Sequence, residues 1–236
     1  MSDLQVGRVV GLLRYPVKSM GAEALGEVDV SWHGFAGDRR WAFIRDGLVR
    51  SNFPWLTIRE RSDMWHYQPF FEEPDRPEKS RTLVRTPDGD ELDVIDPALA
   101  TQLGEGIRLI KQNRGVFDIA PLSLITTQTV GGLAELVDKQ LTTKRFRPNL
   151  LVEAAGDAGF QEDGWVGSVL SIGDMQMRVD QRDERCVMIN VDPETTERDP
   201  AVLKAAARER ETCVGVYGTT VKPGRVAVGD PVLLER

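Results

Sequence analysis

The chain has almost none of the residues that build a metal site from protein alone. It holds two cysteines, Cys186 and Cys213, and two histidines, His33 and His66, in 236 residues. Two cysteines exclude a disulfide framework and a cysteine-rich zinc or iron–sulfur site, and two histidines exclude a histidine-rich one. Long apolar runs are also missing: none approaches the ~18 residues of a membrane span. The opening Met1-Ser2-Asp3-Leu4-Gln5 lacks the basic-then-apolar plan of a signal peptide. These absences predict a soluble cytoplasmic protein in a reducing compartment, with no membrane partner. Positive charge is not in excess either. Thirty Lys and Arg stand against 37 Asp and Glu, a net charge of −7. Nucleic-acid binding rests on clustered Lys and Arg, so no nucleic-acid partner is expected. An anionic ligand would need a local positive pocket working against the global field. The glycine patterns of nucleotide-binding loops, the G-x-S-x-G elbow and H-E-x-x-H are absent as well.

What is present is an ordinary globular composition, 41% apolar with 22 glycines. The length allows one large domain or two small ones. The first half reads as strands. Residues 4–13 are rich in Val and Leu, and 24–32 alternate apolar and polar with the period of a half-buried strand. Asp46-Gly47 inside 40–51 predicts a hairpin, and 81–95 repeats that plan around Pro87-Asp88-Gly89-Asp90. Residues 68–80, with three prolines and six charges, predict a surface loop. Helices are expected at 129–141, capped by Thr129, and at 199–210, where Asp199 precedes Pro200. Strands are expected at 148–154, at 168–180 with a bend at Gly173-Asp174, and over 214–235. Recurrent hairpins and few helices predict a mainly β protein of antiparallel barrels rather than a βαβ fold.

Four short segments carry chemistry. Tyr15-Pro16-Val17-Lys18-Ser19 sets an ammonium and a hydroxyl beside loop amides, which suits a phosphate. Gly34-Phe35-Ala36-Gly37-Asp38-Arg39-Arg40-Trp41 offers a guanidinium fork near an orienting carboxylate. Arg145-Phe146-Arg147-Pro148-Asn149 points two arginines along one segment. Arg185-Cys186 puts a thiol beside a cation, and positive neighbours favour thiolate, the form that ligates metal. Taken singly, each has an ordinary alternative: a solvated turn lysine, a surface ion pair, a basic strand edge, an inert core thiol. Cys213, just before Gly215, reads as structural.

In order along the chain, YPVKS, GFAGDRRW, APLSLITTQTV, RFRPNLLV, FQEDGW, RCVMINVDPET and PGRVAVGDPV resemble the motifs of the MOSC family. That family is named for the C-terminal domain of molybdenum cofactor sulfurase. The likeness is to its two-part form, shared by mitochondrial amidoxime-reducing components and bacterial N-hydroxylaminopurine reductases. It covers nearly the whole chain. It implies a smaller N-terminal MOSC-type β-barrel domain over 1–112 and a β-barrel MOSC domain over 113–236. It implies the molybdenum cofactor, Mo-molybdopterin, with Cys186 as metal ligand and catalytic residue. A crystal from a host that fails to load the cofactor would show an empty basic cleft. Lys18, Ser19, Arg39, Thr126, Thr127, Arg147, Asn149 and Arg185 are the cofactor-binding residues that the resemblance implies.

Two stretches depart from the family pattern. Ile189 and Asn190 replace the usual threonines after R-C, and Thr196 stands at a glycine. Where the family has T-x-R-x-x-P, residues 51–56 read Ser-Asn-Phe-Pro-Trp-Leu. The chain ends at Arg236 without the cysteine-rich extension of some relatives. A monomer taking electrons from a separate reductase or ferredoxin is therefore expected. The resemblance implies reduction of a small N-hydroxylated substrate: a hydroxylamine, an amidoxime or an N-hydroxylated base. The alternatives are a molybdenum cofactor or sulfur carrier using a persulfide on Cys186, and a non-catalytic anion-binding module.

Overall fold

A computed structural model describes residues 4–48 and 50–235. Residues 1–3, Val49 in the expected 40–51 hairpin, and Arg236 lie outside the described residues. In chain order the strands are β1 (Leu4–Arg14), β2 (Glu23–Leu25), β3 (Glu27–Ser31), β4 (Gly34–Phe35), β5 (Trp41–Arg45), β6 (Gln68–Phe71), β7 (Thr82–Arg85), β8 (Glu91–Asp93) and β9 (Ile107–Lys111), then β10 (Leu122–Thr126), β11 (Leu150–Ala154), β12 (Val169–Ile172), β13 (Met175–Glu184), β14 (Cys213–Lys222), β15 (Gly224–Ala227) and β16 (Pro231–Leu234). The helices are α1 (Pro97–Leu103), α2 (Thr127–Val137) and α3 (Ala201–Arg210).

The protein is mostly β. Seven strands close into a barrel in the order β1-β11-β10-β14-β13-β12-β16, with β16 returning to β1. Closure leaves none of these seven strands as an open edge. Alternation fills the interior. Met175, Met177 and Val179 of β13 point inward beside Val9, Leu122, Leu150, Val216 and Val232, all fully buried. Each such side chain contributes roughly 1.5–3 kcal/mol of burial free energy. All the neighbouring pairs in the ring are antiparallel except β10–β11. That parallel pair is joined through α2, so one β–α–β crossover sits inside an otherwise antiparallel barrel.

Residues 4–35 share this core with residues 122–234, since Val6, Val28, Val30 and Phe35 pack into it. A second apolar cluster gathers Val17, Met20, Phe43, Ile58, Met64, Trp65, Leu99 and Leu103, under the β5–β9 ladder and the β6–β7–β8 sheet. A third lies where α2 and α3 cover the outside of the barrel, around Ile125, Leu133, Ile189, Val202 and Val214.

Several local expectations are corrected. Asp46-Gly47 makes no hairpin: Asp46–Leu48 is a 3-10 turn, and β5 takes β9 as partner, with Trp41 opposite Lys111. The expected loop at 68–80 begins only after β6, whose Pro69 and Phe71 are buried against β7. The expected bent strand at 168–180 is a hairpin, β12 to β13, turning at Gly173-Asp174. Helix α2 starts two residues early and stops at Val137. Thr126 is its cap, accepting from the Thr129 amide at 3.1 Å, and Asp138 ends it in the left-handed conformation. Asp199 accepts from the Ala201 amide at 2.9 Å, as its place before α3 predicts.

Candidate functional site

Where the barrel meets the second cluster, one cleft of about 230 Å³ opens. Its walls come from distant parts of the sequence. Lys18 and Ser19 follow β1, Arg39 lies between β4 and β5, and Arg145 and Arg147 precede β11. Arg185 and Cys186 follow β13. Six cations line the cleft (Lys18, Arg39, Arg59, Arg145, Arg147, Arg185) against three carboxylates, Asp118, Asp183 and Glu184. The local charge is thus positive in a chain whose total is −7.

The backbone is strained where these side chains leave it. Ser19, Arg39 and Arg147 have φ of 68°, 48° and 52°. Left-handed conformations cost a non-glycine residue on the order of 1–3 kcal/mol and persist only where surrounding structure fixes them. Here the fixing group is a buried polar knot. Asp38, fully buried, accepts from the Tyr15 amide at 2.7 Å and from Asn149 Nδ2 at 3.1 Å, and pairs with Arg39. Arg39 Nη2 donates to the Arg147 carbonyl at 3.2 Å. Two guanidinium groups lie over the Tyr15 ring, Arg147 4.2 Å and Arg39 4.6 Å from its centroid. Trp65 packs on Arg147 at 4.7 Å. Burial pushes the Tyr15 hydroxyl up to about 12 against the pull of both arginines. Burial draws Arg147 down to about 10, so it stays charged at neutral pH.

Not every cation has its donors occupied. Arg147 Nη1 donates to the Met20 carbonyl at 2.7 Å, but its buried Nη2 has no partner among the described residues. Lys18 donates to the Val116 carbonyl at 3.1 Å and to Asp118 at 2.5 Å. Burial pulls the Lys18 ammonium below its ordinary range, with Asp118 opposing. Burial works to raise Asp118, but Lys18, Arg59 and Arg39 together hold it below the usual carboxylate range. Arg185, by contrast, is committed to the protein. It donates to the Val214 and Phe146 carbonyls, each at 2.7 Å, and its Nη2 lies 2.8 Å from Asp183 Oδ2. Gly215 makes room for that guanidinium: a Cβ there would sit 3.2 Å from Arg185 Nη2, at a φ of 82°. Arg145 is likewise anchored on the Ile189 carbonyl at 3.0 Å and on Asp192.

Cys186 begins a 3-10 turn, Val187–Asn190. The turn is pinned on both sides, with Met188 and Val191 in the second cluster and Ile189 in the third. This fixes the thiol at the cleft wall, partly exposed. Arg59 Nη2 is 3.2 Å from Cys186 Sγ and stacks on Phe53 at 4.9 Å. The sulfur thus faces a cationic donor at the cleft wall.

The structure thus brings Lys18, Ser19, Arg39, Arg147, Arg185 and Cys186 to one cleft. Asn149 lies behind it and orients Asp38 and Arg39. Thr126 and Thr127 are elsewhere. Thr126 is buried, its hydroxyl held by Thr129 and by Glu162 at 3.0 Å, while Thr127 is exposed and bonds Gln128. Their place is the cap of α2, whose first turn folds onto the buried Glu162 carboxylate. Asn190 turns to α3, accepting from the Leu203 amide at 2.9 Å. Cys213 lies outside the cleft, and burial pushes its thiol up.

Arg59, Asp118, Asp183 and Tyr217 also line the cleft without having been expected there. For Arg59 a signal existed. Thr57-Ile58-Arg59 fits T-x-R directly after the altered stretch at 51–56, with Ser62 at the proline position.

Comparison with known proteins agrees with this architecture. The MOSC domain model matches residues 112–233, and the MOSC N-terminal beta barrel domain model matches residues 6–107. The bovine mitochondrial amidoxime reducing component 2 (Bos taurus) is 28% identical over 128 residues, covering 49% of this chain and 37% of that protein. The molybdenum cofactor sulfurase of Caenorhabditis briggsae is 27% identical over 246 residues, covering 94% of this chain and 34% of that protein. The chain therefore matches little more than a third of these curated relatives' length. The YUAD protein of Bacillus subtilis shares the fold at a TM-score of 0.54 and 13% identity, covering 99% of this chain and 97% of that one. With both family models matched in order across a closed barrel and its flanking sheets, the chain belongs to the MOSC family, a MOSC domain preceded by a MOSC N-terminal beta barrel domain.

Proposed function

We propose that this chain is a molybdenum-cofactor-dependent oxidoreductase that reduces N-hydroxylated compounds, with electrons from a separate donor protein. One observation carries the reading. The Cys186 thiol, facing Arg59, shares a cleft with a buried Arg147 nitrogen that has no partner among the described residues. A buried unpaired donor calls for a ligand acceptor, and a thiolate supplies one soft metal ligand. Among the described residues no three metal-ligating side chains gather. The other ligands of a metal at Cys186 would come with the cofactor, so the residues present fit the group.

Lys18, Ser19, Arg39 and Arg147 would hold its anionic part, and Cys186 would ligate the metal. When bound, the cofactor supplies two-electron redox chemistry. The chain's own residues bind and orient. Arg59, stacked on Phe53, donates to the Cys186 sulfur, Arg185 and Arg145 fix the turn that carries it, and Phe117 and Ile119 give the cleft an apolar flank. The overall reaction takes R–NHOH, two electrons and two protons to R–NH2 and water. The test is metal and pterin analysis of protein from a cofactor-making host, then assay on a hydroxylamine, an amidoxime and an N-hydroxylated base. The reading expects molybdenum in the wild type and loss of both metal and activity in Cys186→Ala. A metal-free wild type, or a fully active variant, would overturn it.

A second reading has its own support. The sulfurase relative aligns with 94% of this chain, the amidoxime-reducing relative with 49%. On that reading Cys186 carries a persulfide and passes sulfur onward. Intact-protein mass spectrometry separates the two: a one-sulfur adduct on Cys186 without pterin favours the carrier.

A further inference from the structure

The cations of the cleft divide into those the protein neutralises and those it leaves over. Lys18 pairs with Asp118, Arg39 with Asp38, Arg185 with Asp183 and Arg145 with Asp192. Glu184, the remaining carboxylate of the lining, is exposed to water. Two cations are left over. Arg147 is buried among the residues that would hold the anionic part of the cofactor. Arg59 is 28% exposed at the side chain and stands beside Cys186 instead. Asp118 Oδ2 is 3.9 Å from it, beyond hydrogen-bond reach, and Asp118 Oδ1 is taken by Lys18.

Arg59 is held in place without exhausting its donors. Ile58 before it is fully buried, and Arg198 Nη2 donates to the Arg59 carbonyl at 2.6 Å. The guanidinium stacks on Phe53, 4.9 Å from the ring centroid. Its Nη2 donates to Cys186 Sγ at 3.2 Å. A guanidinium carries five N–H donors and offers two bidentate edges. One bond to sulfur engages one edge and leaves the other whole. A fixed, partly exposed guanidinium with a whole edge matches the two oxygens of a carboxylate.

We propose that Arg59 selects the substrate by a carboxylate close to its N–OH group, as in an N-hydroxylated α-amino acid. Closeness follows from position. Arg59 touches the sulfur that would ligate the metal, so an anion on its free edge and a group at the metal are neighbours. A carboxylate must then lie only a few bonds from the N–OH. The exposed Ile119 and the neighbouring Phe117 suit an apolar side chain on the same molecule. The carboxylate is a handle and does not react. R–CH(NHOH)–COO− takes two electrons and two protons, from the donor protein and water, to R–CH(NH2)–COO− and water. The inference rests on the reductase reading, and the experiment tells the failure of one from the failure of the other.

Protein from a cofactor-making host is first assayed for molybdenum. N-Hydroxyphenylalanine and its primary amide, which differ only in the carboxylate, are then titrated by calorimetry into loaded protein without an electron donor. The same pair is assayed for turnover with a donor present. Wild type should bind the acid about tenfold more tightly than the amide, the scale of one charge-assisted hydrogen bond. In turnover the preference should appear in KM rather than in kcat. Arg59→Met should bring the two affinities together. Arg59→Lys, which keeps the charge without the fork, should fall between. The acid-to-amide ratio cancels any general loss in a variant, and thermal melting reports its folding. Equal affinity for acid and amide in wild type would overturn the proposal while turnover of both leaves the reductase reading standing. An undiminished preference in Arg59→Met would also overturn it, and give the selection to the general field of the cleft. Wild type without molybdenum, or loaded protein that reduces neither compound nor an amidoxime, would overturn the reductase reading and the proposal with it.

Discussion

Inside the barrel, Val9, Leu122, Leu150 and Val216 are fully buried and bring no polar atom with them. At the cleft, Lys18, Arg145 and Arg147 are nearly as buried, at 6%, 5% and 8% exposure, and bring charge. The same strands serve both regions: β11 ends the segment that holds Arg147, and β13 runs from Met177 in the core to Asp183 in the cleft. The interior gains free energy with each side chain. The cleft spends some of it, in strained backbone at Ser19, Arg39 and Arg147 and in a buried Arg147 nitrogen without a partner among the described residues. The barrel stabilises a wall that would not stand alone, and the wall's unmet hydrogen bonds are what a ligand can satisfy.

Substitutions in the two regions should therefore behave differently. The largest stability effect belongs to the barrel. Leu150→Ala removes a fully buried side chain and should cost about 2–5 kcal/mol in urea denaturation, with no direct loss at the cleft. Arg147→Met should do the reverse. It removes a buried cation with an unpaired nitrogen, so stability should hold or rise by about 1 kcal/mol, while affinity for inorganic phosphate or pterin phosphate falls tenfold or more by calorimetry. A fall in stability matching that of Leu150→Ala would erase the contrast.

Asp183 sharpens it through pH. Burial, opposed by Arg185, raises its folded pKa to about 7, far above the unfolded carboxyl value of about 3.9. The native state then holds a proton that the unfolded chain has lost, so stability should fall as pH rises from about 4 to about 7 and level off above. Asp183→Asn should flatten that part of the profile in pH-dependent melting. The smallest effect is expected from Arg8→Ala. Its partner Glu153 is 3.0 Å away, but both side chains are more than half exposed. Exposed pairs contribute about 0.2–1 kcal/mol, screened by salt.

What could be read from the sequence was local. YPVKS, GFAGDRRW, RFRPN and RC are short runs whose residues keep their neighbours in the fold, and Lys18, Arg39, Arg147 and Cys186 meet as those runs suggest. The strand periodicity of β3 and the turn between β7 and β8 were equally plain. What was not legible depends on partners far along the chain. The Asp46-Gly47 hairpin failed because Trp41 finds Lys111 first. Thr126 and Thr127 lie at the start of α2 and outside the lining of the cleft, because the helix start uses the Thr126 hydroxyl and the distant Glu162 holds it. Asp183 and Tyr217 enter the cleft through a register slip that no periodicity signals. Arg59 was visible, one T-x-R too far on.

The most direct measurement is molybdenum-edge X-ray absorption on protein loaded in a cofactor-making host. The account predicts a metal shell that includes one protein sulfur, lost in Cys186→Ser with the other sulfur ligands unchanged. A shell identical in the two proteins, or no molybdenum in the wild type, would contradict it.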